Sequence, residues 1–230
     1  MLICKGLSVR QGDFRLAADF AVEPGRIVAL LGASGAGKST LLDMIAGFRP
    51  PDKGRVLWDG QDLTPMAPGQ RPLSILFQDN NLFPHLSVTR NVGLGLRPDL
   101  KLSPADHERI ETALSRVGLP GLGARKPAAL SGGQRGRVAL ARMLLRGRPL
   151  MLLDEPFAAL GPALKAEMLG LVADLARETG ATVLLVTHDP ADAQAICDQT
   201  ILVAGGQAHA PQATAALFDD PPPALRAYLG

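Results

Sequence analysis

The residues best suited to chemistry run from 32 to 40: Gly32-Ala33-Ser34-Gly35-Ala36-Gly37-Lys38-Ser39-Thr40. Gly32 to Ser39 fit Gly-x-x-x-x-Gly-Lys-Ser, a loop that holds phosphate. The glycines let backbone N–H groups wrap closely around phosphate oxygens. A helix beginning near Lys38 turns the positive end of its dipole toward the same oxygens. Lys38 reaches the β- and γ-phosphates as a point charge. The Ser39 hydroxyl is the expected Mg²⁺ ligand, and Thr40 is placed to hydrogen-bond the α-phosphate. A plain Gly-rich turn is disfavoured by the full match between an apolar strand-like run, Ile27 to Leu31, and a helix-like one around Leu41, Leu42, Met44 and Ile45. The loop alone does not separate a kinase, a GTPase and a transport ATPase.

Four further groups stand at the ends of apolar runs. Asp154 and Glu155 follow Leu150-Met151-Leu152-Leu153, and Pro156 ends that run sharply. Two carboxylates at a strand's carboxyl end, in a chain with a phosphate loop, suit Mg²⁺ and water activation. Gln78 follows Ser74-Ile75-Leu76-Phe77, and His188 follows Thr182 to Thr187. Functional polar groups collect at such strand ends in open α/β sheets, although alone Gln78 is an ordinary loop residue and His188 an ordinary surface one. Ser131-Gly132-Gly133-Gln134 opens a long apolar-periodic helix with Ser131 as its N-cap, a second phosphate-binding device or an ordinary Gly-Gly turn.

The elements around these residues follow from periodicity. Leu2-Ile3, Leu7-Ser8-Val9 and Phe14 to Val22 read as strands of a small antiparallel sheet, which Arg55 to Gln61 is expected to join. Residues 86 to 130 read as a mostly helical insertion, with a helix starting at Ser103-Pro104 and stopped by Gly118 to Gly121. Pro162 opens a helix to about Glu178 with Leu164, Met168, Leu171, Val172 and Leu175 inward, and Thr200 to Ala204 is a last strand. The tail, with Pro221-Pro222-Pro223, offers no chemistry, and His85, His107 and His209 have no constellation around them.

Composition limits the alternatives. The chain has 230 residues, 47% hydrophobic and 20% charged, which suits a folded domain with appended lobes. A net charge of +2 is too balanced to argue for nucleic acid. Cys4 and Cys197 make no metal-ligand spacing, and a reducing setting is the easier reading. The N-terminus lacks the apolar core of a signal peptide, and no stretch reaches the ~20 apolar residues of a membrane span. A membrane role therefore requires a partner.

Together the motifs resemble the ATP-binding cassette (ABC) ATPases: Leu130-Ser131-Gly132-Gly133-Gln134 lies between the phosphate loop and the Asp154-Glu155 strand, with Gln78 and His188 in the family's order. The resemblance spans essentially the whole chain. It implies an α/β P-loop NTPase (RecA-like) core with a mainly parallel sheet at 27–50, 73–85 and 147–230. To this core it adds an N-terminal antiparallel β subdomain at about 1–25 and 55–72 and a helical signature subdomain at 86–146. It implies that Gly32 to Thr40 bind ATP and Mg²⁺, that Asp154 holds the Mg²⁺ shell, and that Glu155 positions or deprotonates the attacking water. His188 then contacts the γ-phosphate. Gln78 joins metal and water to a transmembrane permease, and Ser131, Gly132, Gly133 and Gln134 cover ATP held on a second copy of the chain. The resemblance places the chain on the cytoplasmic face of the inner membrane, as a peripheral subunit served indirectly by a periplasmic solute-binding protein.

Two positions depart from the family pattern. The aromatic that usually stacks on adenine is replaced by Gln11, with Phe14 the nearest aromatic. The usual Ala-Leu-Asp is Ala159-Leu160-Gly161, which implies weaker coupling between the two sites of a dimer. Gln78 to Leu86, Asn91 to Leu96 and Leu100 to Leu102 resemble the ATPases of thiamine importers of Gram-negative bacteria, with sulfate, iron and polyamine importers as the alternative. Residues 79 to 97 are then the groove for a permease helix. A GTPase would carry Asn-Lys-x-Asp, which is absent. A small-molecule kinase would not need the signature. A soluble DNA-repair or translation ABC ATPase would carry a long coiled-coil insertion or tandem cassettes, whereas one phosphate loop and one signature are present.

Overall fold

The computed structural model describes residues 1–229. In chain order the strands and helices are β1 (Leu2–Gln11), β2 (Phe14–Val22), β3 (Ile27–Leu31), α1 (Lys38–Ala46), β4 (Lys53–Trp58), β5 (Gln61–Asp62), β6 (Leu73–Leu76), α2 (Val88–Gly93) and α3 (Pro104–Arg116). They continue with α4 (Gly132–Arg146), β7 (Leu150–Asp154), α5 (Pro162–Thr179), β8 (Thr182–Val186), α6 (Pro190–Ile196), β9 (Gln199–Ala204), β10 (Gln207–Ala208), β11 (Gln212–Ala213), α7 (Thr214–Asp219) and α8 (Pro223–Leu229). The strands join in the order β5-β4-β1-β2-β10-β9-β3-β8-β7-β6, with β11 paired to β9. From β9 to β6 every pairing is parallel. From β5 to β2 every pairing is antiparallel. The fold is therefore a P-loop type α/β structure whose parallel half continues into an antiparallel one.

The apolar runs read from sequence are buried on both faces, as a parallel sheet under helices requires. Alternation divides them between two cores. Ile27, Ala29 and Leu31 of β3, Met151 and Leu153 of β7, and Val183 and Leu185 of β8 face the core built with α2 to α5. Val28, Leu30, Leu150, Leu152, Leu184 and Val186 face the core built with α1, β1, β2 and β4. All the strands that carry candidate chemistry end at the same edge, so β3, β6, β7 and β8 deliver their following residues side by side.

Two local readings change. Leu2-Ile3 and Leu7-Ser8-Val9 are one strand, β1, with a register shift between Cys4 and Leu7. Gly6 sits there at φ 55, and Gly54 of β4 approaches it so closely that a Cβ would lie 2.3 Å from the Gly6 carbonyl oxygen. On α5, Leu169 and Val172 are buried while Leu164 and Leu171 pack only partly, a rotation of the inner face from the one read by spacing.

Arg71 fixes the far end of the phosphate-loop helix. It is 2% exposed, and its guanidinium donates to the Met44 and Ile45 carbonyls at 2.8 and 2.7 Å and to Thr64 and Met66 carbonyls at 3.2 and 3.1 Å. A cation at the C-terminus of α1 satisfies orphan carbonyls and the negative end of the dipole. Gly47 is required beside it, because a Cβ there would lie 2.5 Å from the Arg71 Nε.

Candidate active site

The phosphate loop leaves β3 with Gly32 at φ 156, Gly35 at φ 78 and Gly37 at φ 107, and α1 starts at Lys38. A Cβ at Gly32 would lie 2.2 Å from the Val203 carbonyl oxygen, so the loop is pressed against β9. Phe14, Ser34, Gly35, Gly37, Lys38, Ser39, Thr40, Glu155 and His188 line one cleft of about 360 Å³. Ala33 and Ala36 belong to the same loop, and the Ala33 carbonyl accepts from the Lys38 ammonium at 3.0 Å, as does that of Gly32 at 2.7 Å. Burial pushes the Lys38 ammonium down, and the carboxylates of Glu155 and Asp154 oppose that.

Beside the lysine, the Ser39 hydroxyl donates to Asp154 Oδ1 at 3.1 Å. Burial raises the Asp154 carboxyl above its ordinary value, and the neighbouring Glu155 adds to this; the Ser39 hydroxyl and Lys38 pull the other way. A hydroxyl and a carboxylate at this spacing are hard oxygen donors of the kind Mg²⁺ takes, with remaining positions open to water and phosphate. Glu155 is in the left-handed region at φ 45, which turns its side chain out of the strand line, and its N–H donates to the Val186 carbonyl of β8 at 3.1 Å. His188 Nδ1 lies 3.0 Å from Glu155 Oε2. A proton on Nδ1 donates to the carboxylate, so a neutral ring presents Nε2 as an acceptor and only the imidazolium presents a donor on both sides.

Gln78 stands two residues past Leu76, which pairs with Leu153 of β7, so it is level with the carboxylate end. Its side chain is exposed and makes no hydrogen bond to Ser39 or Asp154. The loop after it is held in a tight form: Asn80 and Asn81 have φ 61 and 45, and Arg142 of α4 donates to their carbonyls at 3.0 and 2.8 Å. Ser131 to Gln134 do not line the cleft. Ser131 and Gln134 are locked in a capping box at the start of α4, with bonds of 3.0 and 3.2 Å, and a Cβ on Gly133 would meet Leu164 at 2.6 Å.

The structure brings Phe14, the aromatic noted in the sequence, to the site and adds three residues that the sequence did not single out, Lys165, Arg142 and Tyr228. Phe14 lines the cleft, with its ring 3.0 Å from where a Gly37 Cβ would sit, while Gln11 is exposed and bound to Arg49. Lys165, Arg142 and Tyr228 each hold a loop of the site. Tyr228 gives the tail a contact with the site, because its hydroxyl donates to the His188 carbonyl. No periodicity in α8 signals that contact, whereas the position of Phe14 at the start of β2 was visible.

This is the arrangement of a P-loop ATPase of the ATP-binding cassette type, and the family comparison agrees. The ABC transporter family profile matches residues 17–158, and the chain belongs to that family. It is an ATP-binding, ATP-hydrolysing transport enzyme. Among full-length relatives, a thiamine import ATP-binding protein of Cereibacter sphaeroides is 64% identical over 100% of both chains. One of Ruegeria sp. is 57% identical, again over 100% of both. Among solved structures, a dimeric ATP-binding cassette in a post-hydrolysis state with ADP and Pi superposes with TM-score 0.80 at 28% identity, covering 93% of this chain and 99% of that one. The cbiO1 protein of Clostridium perfringens, part of an ABC transporter complex, superposes with TM-score 0.83 at 28% identity, covering 95% and 90%.

Proposed function

We propose that the chain is the ATP-hydrolysing subunit of a thiamine importer, acting as a homodimer on a membrane permease. The observation that carries the catalytic part is the convergence of Ser39–Asp154 and Glu155–His188 on the cleft of the phosphate loop. The cargo follows the relatives of 64% and 57% identity, which are thiamine import ATP-binding proteins. Gly32 to Thr40 cradle the triphosphate and Phe14 takes the base. Ser39, Asp154 and Gln78 would hold Mg²⁺, which supplies charge neutralisation at the β- and γ-phosphates. Glu155 accepts the proton of the attacking water, and His188 steadies the γ-phosphate. Ser131 to Gln134, remote from the cleft of their own chain, complete the site of a second copy. The division into an antiparallel part (1–25, 55–72), a nucleotide core (27–50, 73–85, 147–230) and a helical part (86–146) serves this cycle. The segment from 79 to 97, which includes α2 and carries the exposed Phe83, receives the permease. A periplasmic binding protein acts through that permease. Among the described residues no helix is long and apolar enough to cross a membrane; the permease would hold the subunit at the cytoplasmic face.

The test is ATPase activity in liposomes holding the chain with its permease and binding protein. Stimulation by thiamine, lost in Glu155→Gln while ATP binding persists and a closed dimer accumulates, is expected. Stimulation by a different solute removes the cargo and keeps the transport ATPase. Activity indifferent to the membrane partner removes the transport reading.

A further inference from the structure

The segment that carries His188 is held from three sides, and only one of them is the cleft. On the residue before it, Thr187 donates through its hydroxyl to Asp192 and accepts from the Asp189 N–H at 3.0 Å. On the residue after it, Asp189 caps α6, accepting from the Ala191 N–H at 3.0 Å. Lys165 of α5 then donates to Asp189 Oδ2 at 2.8 Å and to Asp192 Oδ1 at 2.7 Å. The Lys165 side chain is 16% exposed and that of Asp192 8%, so this pair is little weakened by solvent, whereas Asp189, 41% exposed, is screened more. The carbonyl of His188 itself accepts from the hydroxyl of Tyr228.

Tyr228 reaches that carbonyl because α8 is docked. Leu225 is fully buried with Leu202 and Leu217, and Tyr228 packs on that cluster. Arg226 anchors the start of α8 by donating to the Pro221 carbonyl at 2.6 Å and to Asp220 at 3.0 Å. The helix thus presents one phenol, half-buried, to one peptide group. That peptide group follows the Cα that bears the imidazole. Fixing its carbonyl together with Asp189 and Thr187 removes backbone freedom at His188 and leaves ring rotation as the remaining motion, which the 3.0 Å contact to Glu155 then orients.

We propose that Tyr228, together with Lys165, is a positioning residue for His188: α8 holds the His188 carbonyl and α5 holds the Asp189 and Asp192 carboxylates that follow it, so that the imidazole is aligned on the reacting phosphate. The inference rests on the role given to His188 above. Small misplacements of a catalytic group are costly in rate while leaving ground-state binding intact. The Tyr228 hydroxyl does not line the cleft, and its hydrogen bond goes to the His188 carbonyl.

The experiment compares ATP hydrolysis by the full chain with MgATP for wild type, Tyr228→Phe, Lys165→Met, Lys165→Arg and His188→Ala. Tyr228→Phe keeps the ring on Leu225 and deletes one hydrogen bond. It is expected to lower kcat about fivefold through misplacement of the imidazole, with KM and equilibrium ATP affinity unchanged and Tm lowered by no more than about 2–4 °C, the cost of one hydrogen bond to stability. Lys165→Met is expected to lower kcat in the same way, and Lys165→Arg to restore it. An unchanged kcat in Tyr228→Phe, with His188→Ala inactive, overturns the clamp and leaves the site reading standing. A Tyr228→Phe loss that follows KM, or that comes with a larger fall in Tm, assigns α8 a merely structural role and also overturns it. Wild-type activity in His188→Ala overturns both readings. Should Lys165→Met unfold, Tyr228→Phe decides alone.

Discussion

Phe14 is the aromatic side chain that lines the cleft of the phosphate loop. The aromatic usual in the family is missing at Gln11, which is engaged by Arg49 at the surface. Phe14, three residues on, enters the cleft over Gly37, where any larger residue would strike its ring. Stacking of a base on an aromatic face is worth ~1–3 kcal/mol. Phe14→Ala is therefore expected to raise KM for ATP about tenfold with little change in kcat, and Phe14→Tyr to keep both; titration with a fluorescent ATP analogue checks the affinity directly. The residue types of the phosphate loop, Asp154, Glu155 and His188 were legible because their spacing to apolar runs is short and fixed. Arg142, Lys165 and Tyr228 were not, since each acts across a long loop closure: Arg142 is 61 residues from Asn81, and Tyr228 is 40 from His188. A basic or phenolic residue on a helix carries no local sign of which carbonyl it will meet.

At the scale of elements, the core strands were legible because burial on both faces leaves an unbroken apolar run, and α3 and α4 because Ser103 and Ser131 cap them, whereas the short β10, β11, α6, α7 and α8 carry too little periodicity to be read. The caps also make predictions. Asp106 completes a capping box with Ser103 at the start of α3. Its carboxyl is held far below the ordinary range, first by the Ser103 N–H, then by the Arg97 guanidinium and the Ser103 hydroxyl. Since the folded value lies below the unfolded one, of about 3.9, the group contributes stability above the unfolded value and loses it as pH falls through the folded one. Asp106→Asn should thus lower Tm at neutral pH, and the difference from wild type should shrink steadily below pH of about 4; thermal melts across pH 2.5 to 7, roughly, would show it. Gly161 makes the opposite case at α5. It is the N-cap without a side-chain cap, its φ of −66 and ψ of 158 are ordinary, and nothing lies within 4 Å of an added Cβ. Gly161→Asp should raise Tm by about 1 °C. What periodicity missed, the bulge in β1 and the rotated face of α5, depends on partners: Gly54 crossing Gly6, and α4 packing on α5.

At the scale of the molecule, the separation of the cleft from Ser131 to Gln134 is the feature that no single chain resolves. Both have the form of a phosphate-binding helix start, yet within one chain the two lie apart, with Gly132 and Gly133 packed toward Leu160 and Leu164 instead. In the proposed homodimer, two copies related by a two-fold axis would pair each cleft with the other copy's signature. This arrangement permits a complementation test. Lys38→Ala destroys the cleft and keeps the signature, and Ser131→Arg does the reverse. Each alone should be inactive. In an equal mixture about half of the dimers are mixed, and each mixed dimer holds one intact site and one doubly broken site. If the sites fire independently, activity returns to about a quarter of wild type; if both must fire together, it stays near zero. Gly161 lacks the carboxylate that the family uses across the dimer, so about a quarter is the expected result, and Gly161→Asp introduced into both partners should lower it. The same substitution in the intact dimer should raise the Hill coefficient for ATP. An unchanged Hill coefficient and an unchanged mixed-dimer rate would remove Gly161 from any role in coupling and leave its effect confined to the cap of α5.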